Sequence, residues 1–524
     1  MRGSSANLAH PPRRRADLAA FPEVVPTNPW HVWIEPTNRC NTRCSHCWHF
    51  YVKFGEDMAD DVYEKIAAAV LDSAQRVELV GYGEPLLAKG FERMLNDCIQ
   101  RGVEILTTSN GILLQRSELL SKMVRGNVHL NVSVDGARAE TFDFVRPFVR
   151  WERLIQALER VRQAAEDAGP ERRFDLYLSF VPMKKNIGDL PDLVRLAARF
   201  GASSIYMLPL ANEDRFERVN GQSLHDSPEL VAPALLEALR VGIRLGVVVL
   251  VPASMRELVL NGPERGHGVR GRALRFLRRV QLGFYYARSR GLGAAWERLL
   301  HGFGPRPGAG IRCCLLPWGD AYFAADGSVF PCCVMGEKLG DISTQPWEEI
   351  WNGPLYRNLR RTVHSWNPSA TCRFCPVALG INGSYEHQRE KFFARYRREE
   401  VALDSADVEF CGGFDGLERL ANGSPSHRWM GRRGTLALTA RPGARFLRLL
   451  IIPRAPVHTP SPGWCRVNGG AEEPFDNTCS EITFPVPRAG PAKTRVEIRM
   501  ESAHRLAPDP RQLGLAIRGI EWLV

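Results

Sequence analysis

The sequence predicts an α/β protein in which a parallel barrel is followed by a small cysteine-rich extension and a C-terminal all-β sandwich. Three observations carry this reading. Between residues 31 and about 210, short apolar runs alternate with helix-like segments, the pattern of parallel strands joined by helical crossovers. Most of the thirteen cysteines fall into groups, at 40/44/47, 313/314, 332/333 and 372/375. From about residue 405, short strands recur between Pro-, Gly- and Asn-rich turns with no helical period.

A chain of 524 residues should hold more than one domain. Its 44% apolar and 24% charged residues are those of an ordinary globular protein. The longest nearly apolar run, 245–252, fits a strand and is too short to span a membrane. Arg13, Arg14 and Arg15 have no apolar segment after them, so the start is not a secretory signal and a cytoplasmic location is expected. Without export, grouped cysteines read as metal ligands rather than disulfides. Cys98, Cys411, Cys465 and Cys479 stand apart and read as buried or incidental thiols. The division expected is a loose arm (1–29), the barrel (30–250), a basic helical insertion (251–310), the cysteine-rich region (311–400) and the sandwich (405–524).

Residues 31–35 form the first expected strand. A helix over 60–74 follows, with Val62, Ile66, Ala69 and Val70 at helical spacing. The second strand, 77–80, ends in Gly81-Tyr82-Gly83-Glu84-Pro85. The third, 103–106, runs into Thr107-Thr108-Ser109-Asn110-Gly111, and the fourth, 128–134, into Asp135-Gly136. The fifth and sixth are 174–181 and 204–208, with helical patterns over 151–165 and 190–200. In parallel sheets, ligands collect at the carboxyl ends of the strands, and every unusual motif here falls at such an end. Glycine there lets the backbone approach a ligand closely.

Residues 226–245 look helical and 246–251 resemble another strand. Residues 262–310 carry ten arginines and two acids, Glu264 and Glu297, interleaved with aromatic and leucine side chains. That composition fits amphipathic helices docked on the barrel, or peripheral contact with an anionic membrane or a phosphate-bearing substrate. Nucleic acid is disfavoured, because no reading module accompanies the charge. Next come Cys313-Cys314, a hairpin over 321–330 with Asp326-Gly327 at its turn, Cys332-Cys333 at its base, and Cys372-x2-Cys375.

Cys40, Cys44 and Cys47 crowd one loop at the end of the first strand. Zinc sites usually draw four ligands in two spaced pairs, whereas three thiolates suit a four-iron cluster with one iron left open. Together with Gly81-Tyr82-Gly83-Glu84-Pro85, Thr108-Ser109-Asn110-Gly111 and Ser133-Val134-Asp135-Gly136, this loop resembles the signature of the radical S-adenosylmethionine (SAM) superfamily. The resemblance covers 31 to about 210. Residues 311–385 are similar to the SPASM and twitch extensions of that superfamily, with Gly327-x4-Cys332 as the best-matching element.

The resemblance implies a partial (β/α)6 barrel and a catalytic [4Fe-4S] cluster on Cys40, Cys44 and Cys47. SAM would bind the open iron, and its reductive cleavage would yield the 5′-deoxyadenosyl radical that abstracts a substrate hydrogen. His46 would stand where an aromatic ring packs on adenine. Backbone groups of Gly81, Tyr82, Gly83 and Glu84 would receive the SAM amino group. Ser109, Asn110, Ser133 and Asp135 are candidates for the ribose and carboxylate, and Arg146 for the carboxylate. A twitch-like set of Cys314, Cys332, Cys372 and Cys375, with Cys313 and Cys333 as alternates, would hold one auxiliary [4Fe-4S] cluster; a structural zinc is the competitor on spacing alone. A fully ligated cluster suits electron acceptance, so an oxidation is expected, with Cys98 or an unused cysteine of the pairs as hydrogen donor in a redox-neutral alternative. A flavodoxin- or ferredoxin-type protein would supply electrons. The sequence singles out no acid or base.

The C-terminal region resembles, with less specificity, a β-sandwich module attached to enzymes of surface polysaccharide assembly, on Arg428-Trp429-Met430, the strand series and 508–518. That favours a sugar, aminocyclitol or glycan precursor, with Trp429 and Trp464 as stacking candidates. Peptide maturation is the rival within enzymes, and a non-catalytic metal-binding scaffold the rival outside them.

Overall fold

The computed structural model describes residues 22–47, 49, 55–115, 117–169, 173–210, 219–252, 255, 258–259, 314, 316–334, 336–363, 365, 367–375, 397–419, 425–452, 462–470, 472–476, 480–486, 492–501, 504–505, 512–513 and 515–524. Cys313, Cys479, the basic segment 262–310 and residues 508–511 therefore lie outside the described residues.

β1 (His31–Ile34), β2 (Arg76–Leu79), β3 (Glu104–Ser109), β4 (Val128–Ser133), β5 (Asp175–Phe180), β6 (Ser204–Met207) and β7 (Val248–Leu250) pair in parallel in chain order. β8 (Asp320–Phe323) pairs in parallel with the other edge of β1, and β9 (Ser328–Phe330) and β10 (Gly340–Asp341) follow antiparallel. The parallel set thus extends the six-stranded barrel expected by β7, inside the further strand expected at 246–251, and by β8 at the other side. The cysteine-rich region is not a separate body: its hairpin continues the barrel sheet.

Strand period places alternate residues on opposite faces. Val32, Ile34, Val77, Leu79, Ile105, Leu130, Val132 and Leu178 are fully buried. They pack with residues of the crossover helices such as Phe91, Leu154, Leu158 and Leu193 in one hydrophobic core. The alternate positions are polar and form a chain across six strands. Tyr177 Oη lies 2.8 Å from His129 Nδ1, and His129 Nε2 3.0 Å from Glu104. Arg76 lies 3.8 Å from Glu104 and 3.6 Å from Glu78. His31 closes the chain at 3.0 Å from Glu78 and 2.8 Å from Asp320.

The C-terminal region is all-β. β11 (Arg398–Val401), β12 (Val408–Arg419), β13 (Pro425–Thr439), β14 (Phe446–Ile451), β15 (Pro462–Val467), β16 (Glu472–Asp476), β17 (Glu481–Pro485), β18 (Lys493–Met500) and β21 (Leu515–Leu523) join in one antiparallel network. β19 (His504–Arg505) and β20 (Gln512–Leu513) form a separate pair. Leu436, Leu438, Leu447, Leu449, Phe475, Ile482, Phe484 and Trp522 make its core. The network begins at Arg398, inside the range expected for the cysteine-rich region, because β11 pairs with the last strand.

Two further expectations are corrected. The end of the arm is not loose. Val25 exchanges 2.9 Å hydrogen bonds with Asn352, and the indoles of Trp318 and Trp351 donate to the Pro22 and Thr27 carbonyls. Cys98 lies fully buried in the helix–sheet core on helix Phe91–Gln100, so it is not placed as a hydrogen donor. Among the described residues no helix is long and apolar enough to cross a membrane.

Candidate functional site

The cysteine loop leaves β1 and is held from several sides. Ser45 donates through its amide to the Val145 carbonyl (2.9 Å) and through its hydroxyl to that of Phe144 (3.1 Å), so the loop caps the end of helix Ala139–Val145. Arg39 makes a two-pronged pair with Asp57, at 2.6 and 2.7 Å from Nη2. The Thr42 hydroxyl lies 3.2 Å from Cys40 Sγ and 3.6 Å from Cys44 Sγ.

Arg146, just past that helix, is buried rather than a surface charge. Its Nε donates to Asp135 at 2.6 Å and its Nη1 to Cys44 Sγ at 3.4 Å. Its positive charge stands beside the Cys44 thiol, while burial pushes the Cys40 thiol up and the Cys47 thiol up to about 11. Asp135 also accepts the Val181 amide at 2.7 Å. His46 lies 3.9 Å from Asp135, and burial, with Arg146 nearby, pushes its imidazole down to about 4. The ring is therefore neutral at pH 7, and its buried Nδ1 has no hydrogen-bond partner.

Glu84 is the hub of the neighbouring strand ends. It accepts the Ser109 hydroxyl at 2.9 Å and the Asn110 amide at 2.8 Å. Burial pushes its carboxyl up to about 7 against those bonds. Asn110 in turn donates 2.7 Å to Asn41 on the cysteine loop. Glycine is required at Gly83 by close approach: a Cβ there would collide with the Thr37 and Arg39 carbonyls. At Gly81 it would strike the Glu35 carboxylate, which accepts the Tyr82 amide at 2.7 Å and the Ala325 amide at 3.1 Å. Ser133 meets Ser179 at 3.4 Å.

The residues singled out by sequence therefore converge on one end of the sheet, in two roles. Ser109, Asp135 and Arg146 are committed to holding the frame, while His46 keeps an open polar atom. Sequence reading missed Thr42, Asn41, Glu35, Asn186 and Asp189. Asn186 is fully buried and clamps the Asp135 and Val181 carbonyls at 3.0 Å each. Asp189 receives the Ala137 amide at 2.9 Å and the Arg138 side chain, and pairs with Thr141. Asp189 stands just before helix Leu190–Arg199, a position its residue type signals. The others carry no spacing signal.

At the second site, Cys314, Cys332, Cys372 and Cys375 line one cavity with Leu316, Pro331, Val334, Leu359, Val363 and Pro368. Cys333 is not among the lining residues; burial, with Glu78, Cys375 and Asp320 nearby, pushes its thiol up to about 12. Among the described residues no three His, Cys, Asp or Glu side chains converge on one ion-sized point. Both thiol sets fit iron–sulfur chemistry by donor type, since a cubane takes one soft thiolate at each iron rather than several at one ion.

Trp464 was a candidate for sugar stacking. The guanidiniums of Arg361 and Arg499 lie over its ring, 4.8 and 4.7 Å from the centroid, so it is engaged within the protein. Trp429 packs edge-on against His427.

Residues 34–168 match the Radical SAM superfamily model, and residues 313–376 match SPASM, an iron–sulfur cluster-binding domain. The chain is 25% identical to the AdoMet-dependent heme synthase of Methanosarcina barkeri over 352 residues, 66% of this chain and 89% of that protein. It is 26% identical to mycofactocin maturase MftC of Mycolicibacterium smegmatis over 174 residues, 32% of this chain, and spans 42% of that relative's length. Among solved structures it is similar to Streptococcus suis SuiB bound to S-adenosylmethionine, with a TM-score of 0.46 and 14% identity, covering 69% of this chain and 74% of that one. The chain carries a radical SAM domain followed by a SPASM iron–sulfur domain, which together imply SAM, a [4Fe-4S] cluster and auxiliary iron–sulfur clusters.

Proposed function

We propose that this chain is a radical SAM oxidoreductase acting on a polar substrate, with Cys40, Cys44 and Cys47 holding the SAM-binding cluster. The observation that carries the reading is the convergence of the three-thiol loop, Glu84, Asn110 and the Arg146–Asp135 pair on the carboxyl ends of adjacent strands. Those thiols would hold a [4Fe-4S] cluster, which would supply the electron for reductive cleavage of the sulfonium bond of bound SAM and so the means of hydrogen abstraction. The protein contributes placement. Arg146 holds charge beside the Cys44 thiolate, neutral His46 offers a flat face and a free ring nitrogen, and Glu84 fixes the Ser109–Asn110 turn. Tyr82 and Ser133 remain candidates to meet SAM, while Asn110 ties the strand end to Asn41 of the cysteine loop.

Cys314, Cys332, Cys372 and Cys375 would close an auxiliary [4Fe-4S] site of the twitch type. Such a cluster would supply one-electron acceptance, which suits an oxidation in which the substrate gives up one hydrogen atom, one proton and one electron and gains a double bond. The finer reading of that polar substrate is a sugar, aminocyclitol or glycan precursor. The likeness of the C-terminal region to modules of surface polysaccharide enzymes supports it; Trp464 does not. The second reading is modification of a peptide, and one relative is by name a maturase. A ferredoxin- or flavodoxin-type donor is the partner this chemistry needs.

The test is anaerobic reconstitution with iron and sulfide, then SAM and dithionite, with 5′-deoxyadenosine measured by chromatography. Production of 5′-deoxyadenosine is expected; zinc alone in the metal analysis, with no such product, would sink the reading. Deuterium transfer into 5′-deoxyadenosine from labelled sugars or labelled peptides separates the two substrate classes.

A further inference from the structure

We infer that the C-terminal all-β region positions the auxiliary site, through Glu481 and Thr483 of β17. The inference rests on the reading that Cys314, Cys332, Cys372 and Cys375 hold a cluster. Arg373 lies inside the Cys372-x2-Cys375 turn, on the short helix Ala370–Phe374. Its Nη2 donates to Glu481 at 2.9 Å, and Arg373 is only 4% exposed. Glu481 also faces Arg448 at 3.5 Å, and Arg448 reaches Glu521 at 3.4 Å, so a buried charge chain runs from the C-x-x-C turn across three strands of the β network. Three residues before the helix, Asn367 is held by a reciprocal pair of bonds: the Thr483 amide donates 2.7 Å to Asn367 Oδ1, and Asn367 Nδ2 donates 3.0 Å to the Thr483 carbonyl. Asn367 and Thr483 are 2% and 0% exposed.

Both tethers end on one segment, 367–375, which supplies two of the four thiols. Among the described residues the local structure of this segment is slight: the helix has five residues, and its Ser369 cap accepts the Cys372 amide at 3.4 Å. An isolated helix this short is unstable in water, so its orientation is set by what it docks against. Burial makes both tethers costly to break, because an unpaired buried charge or amide keeps its full desolvation penalty. Glu481 and Asn367 are thus positioning residues for the auxiliary thiols, and the β region is a buttress as well as any binding module it forms.

The experiment uses the full chain with Cys40, Cys44 and Cys47 replaced by Ala, so that only auxiliary iron remains. Glu481→Gln and Asn367→Ala are compared with Ile482→Ala, a core change on the same strand that weakens the β region without touching either tether. Readouts are iron per chain, iron retention under a chelator, the electron paramagnetic resonance spectrum of the reduced protein, and thermal melting. Several-fold faster iron loss and an altered spectrum are expected for Glu481→Gln and Asn367→Ala, but not for Ile482→Ala at matched melting temperature. Unchanged iron and spectrum in both tether variants would overturn the inference. So would the same iron loss in all three, which would reduce the effect to general stability. Absence of iron from the parent triple variant would instead overturn the auxiliary-cluster reading beneath it.

Discussion

Around Cys40, Cys44 and Cys47 the neighbours are polar and charged: Thr42, Asn41, His46, Asp135 and Arg146. Around Cys314, Cys332, Cys372 and Cys375 they are largely Leu316, Pro331, Val334, Leu359, Val363 and Pro368. The same ligand type thus sits in opposite surroundings. On the proposed reading the first set would leave one iron open to a zwitterionic cosubstrate, which the donors and acceptors gathered there suit. The second would have every iron held by protein, which apolar walls that exclude water suit.

This contrast can be broken or sharpened by substitution. Cys44→Ala should abolish 5′-deoxyadenosine formation while leaving auxiliary iron in place; activity above background in the chromatographic assay would remove Cys44 from the open site. Cys332→Ser should lose about half the iron of the reconstituted protein, as expected for one of two four-iron clusters, whereas Cys333→Ser should keep it. Equal iron in the two variants would show that the cavity does not choose between them. Arg146→Gln removes one partner of a buried pair with Asp135 and should cost about 3–5 kcal/mol, read as a drop in denaturant midpoint. A stability loss much smaller than this would mean water reaches the pair.

The smallest expected effect lies at His31, the first residue of β1. Burial works against a charge on His31, but Asp320 and Glu78 outweigh it and hold its imidazole up at about 9 from an ordinary 6.5. Burial pushes the Asp320 carboxyl upward, which trims the gain. Because the folded value is the higher one, this stabilisation is complete below about pH 6.5 and fades as pH rises through 9. Melting should fall between pH 7 and 9.5 by an amount matching about 1–2 kcal/mol, and His31→Gln should flatten that slope. An unchanged slope in His31→Gln would place the titration elsewhere.

Much of the barrel was legible because its strands are short, apolar and separated by helices of clear period, and because glycine and cysteine mark the strand ends. Residues 246–251 read as a strand, and β7 lies within them. What stayed hidden is non-local. No spacing reveals that β8 pairs with β1, that Asn186 clamps the Asp135 backbone, or that residues 22–28 dock on tryptophans 296 to 324 positions away. In the β region, β12 escaped notice because Gly412, Gly413 and Gly416 dilute its strand pattern. Arg428, Trp429 and Met430 read as a motif, yet they are the first half of the long strand β13. At the first site the donor types were readable, but their commitments were not: Ser109 and Asp135 looked available and are consumed by Glu84 and Arg146.

The parallel pairing of β1 with β8 also dictates an order of events during synthesis. Glu35, at the end of β1, is completed by the Ala325 amide 290 positions later. At ribosomal rates that interval lasts on the order of 15–60 s. Throughout it, one edge of β1 is an open template beside three reactive thiols. Premature pairing, oxidation or proteolysis at that edge is the hazard built into this topology. A nascent chain stalled before residue 320 should be far more sensitive to protease near β1 than the finished protein.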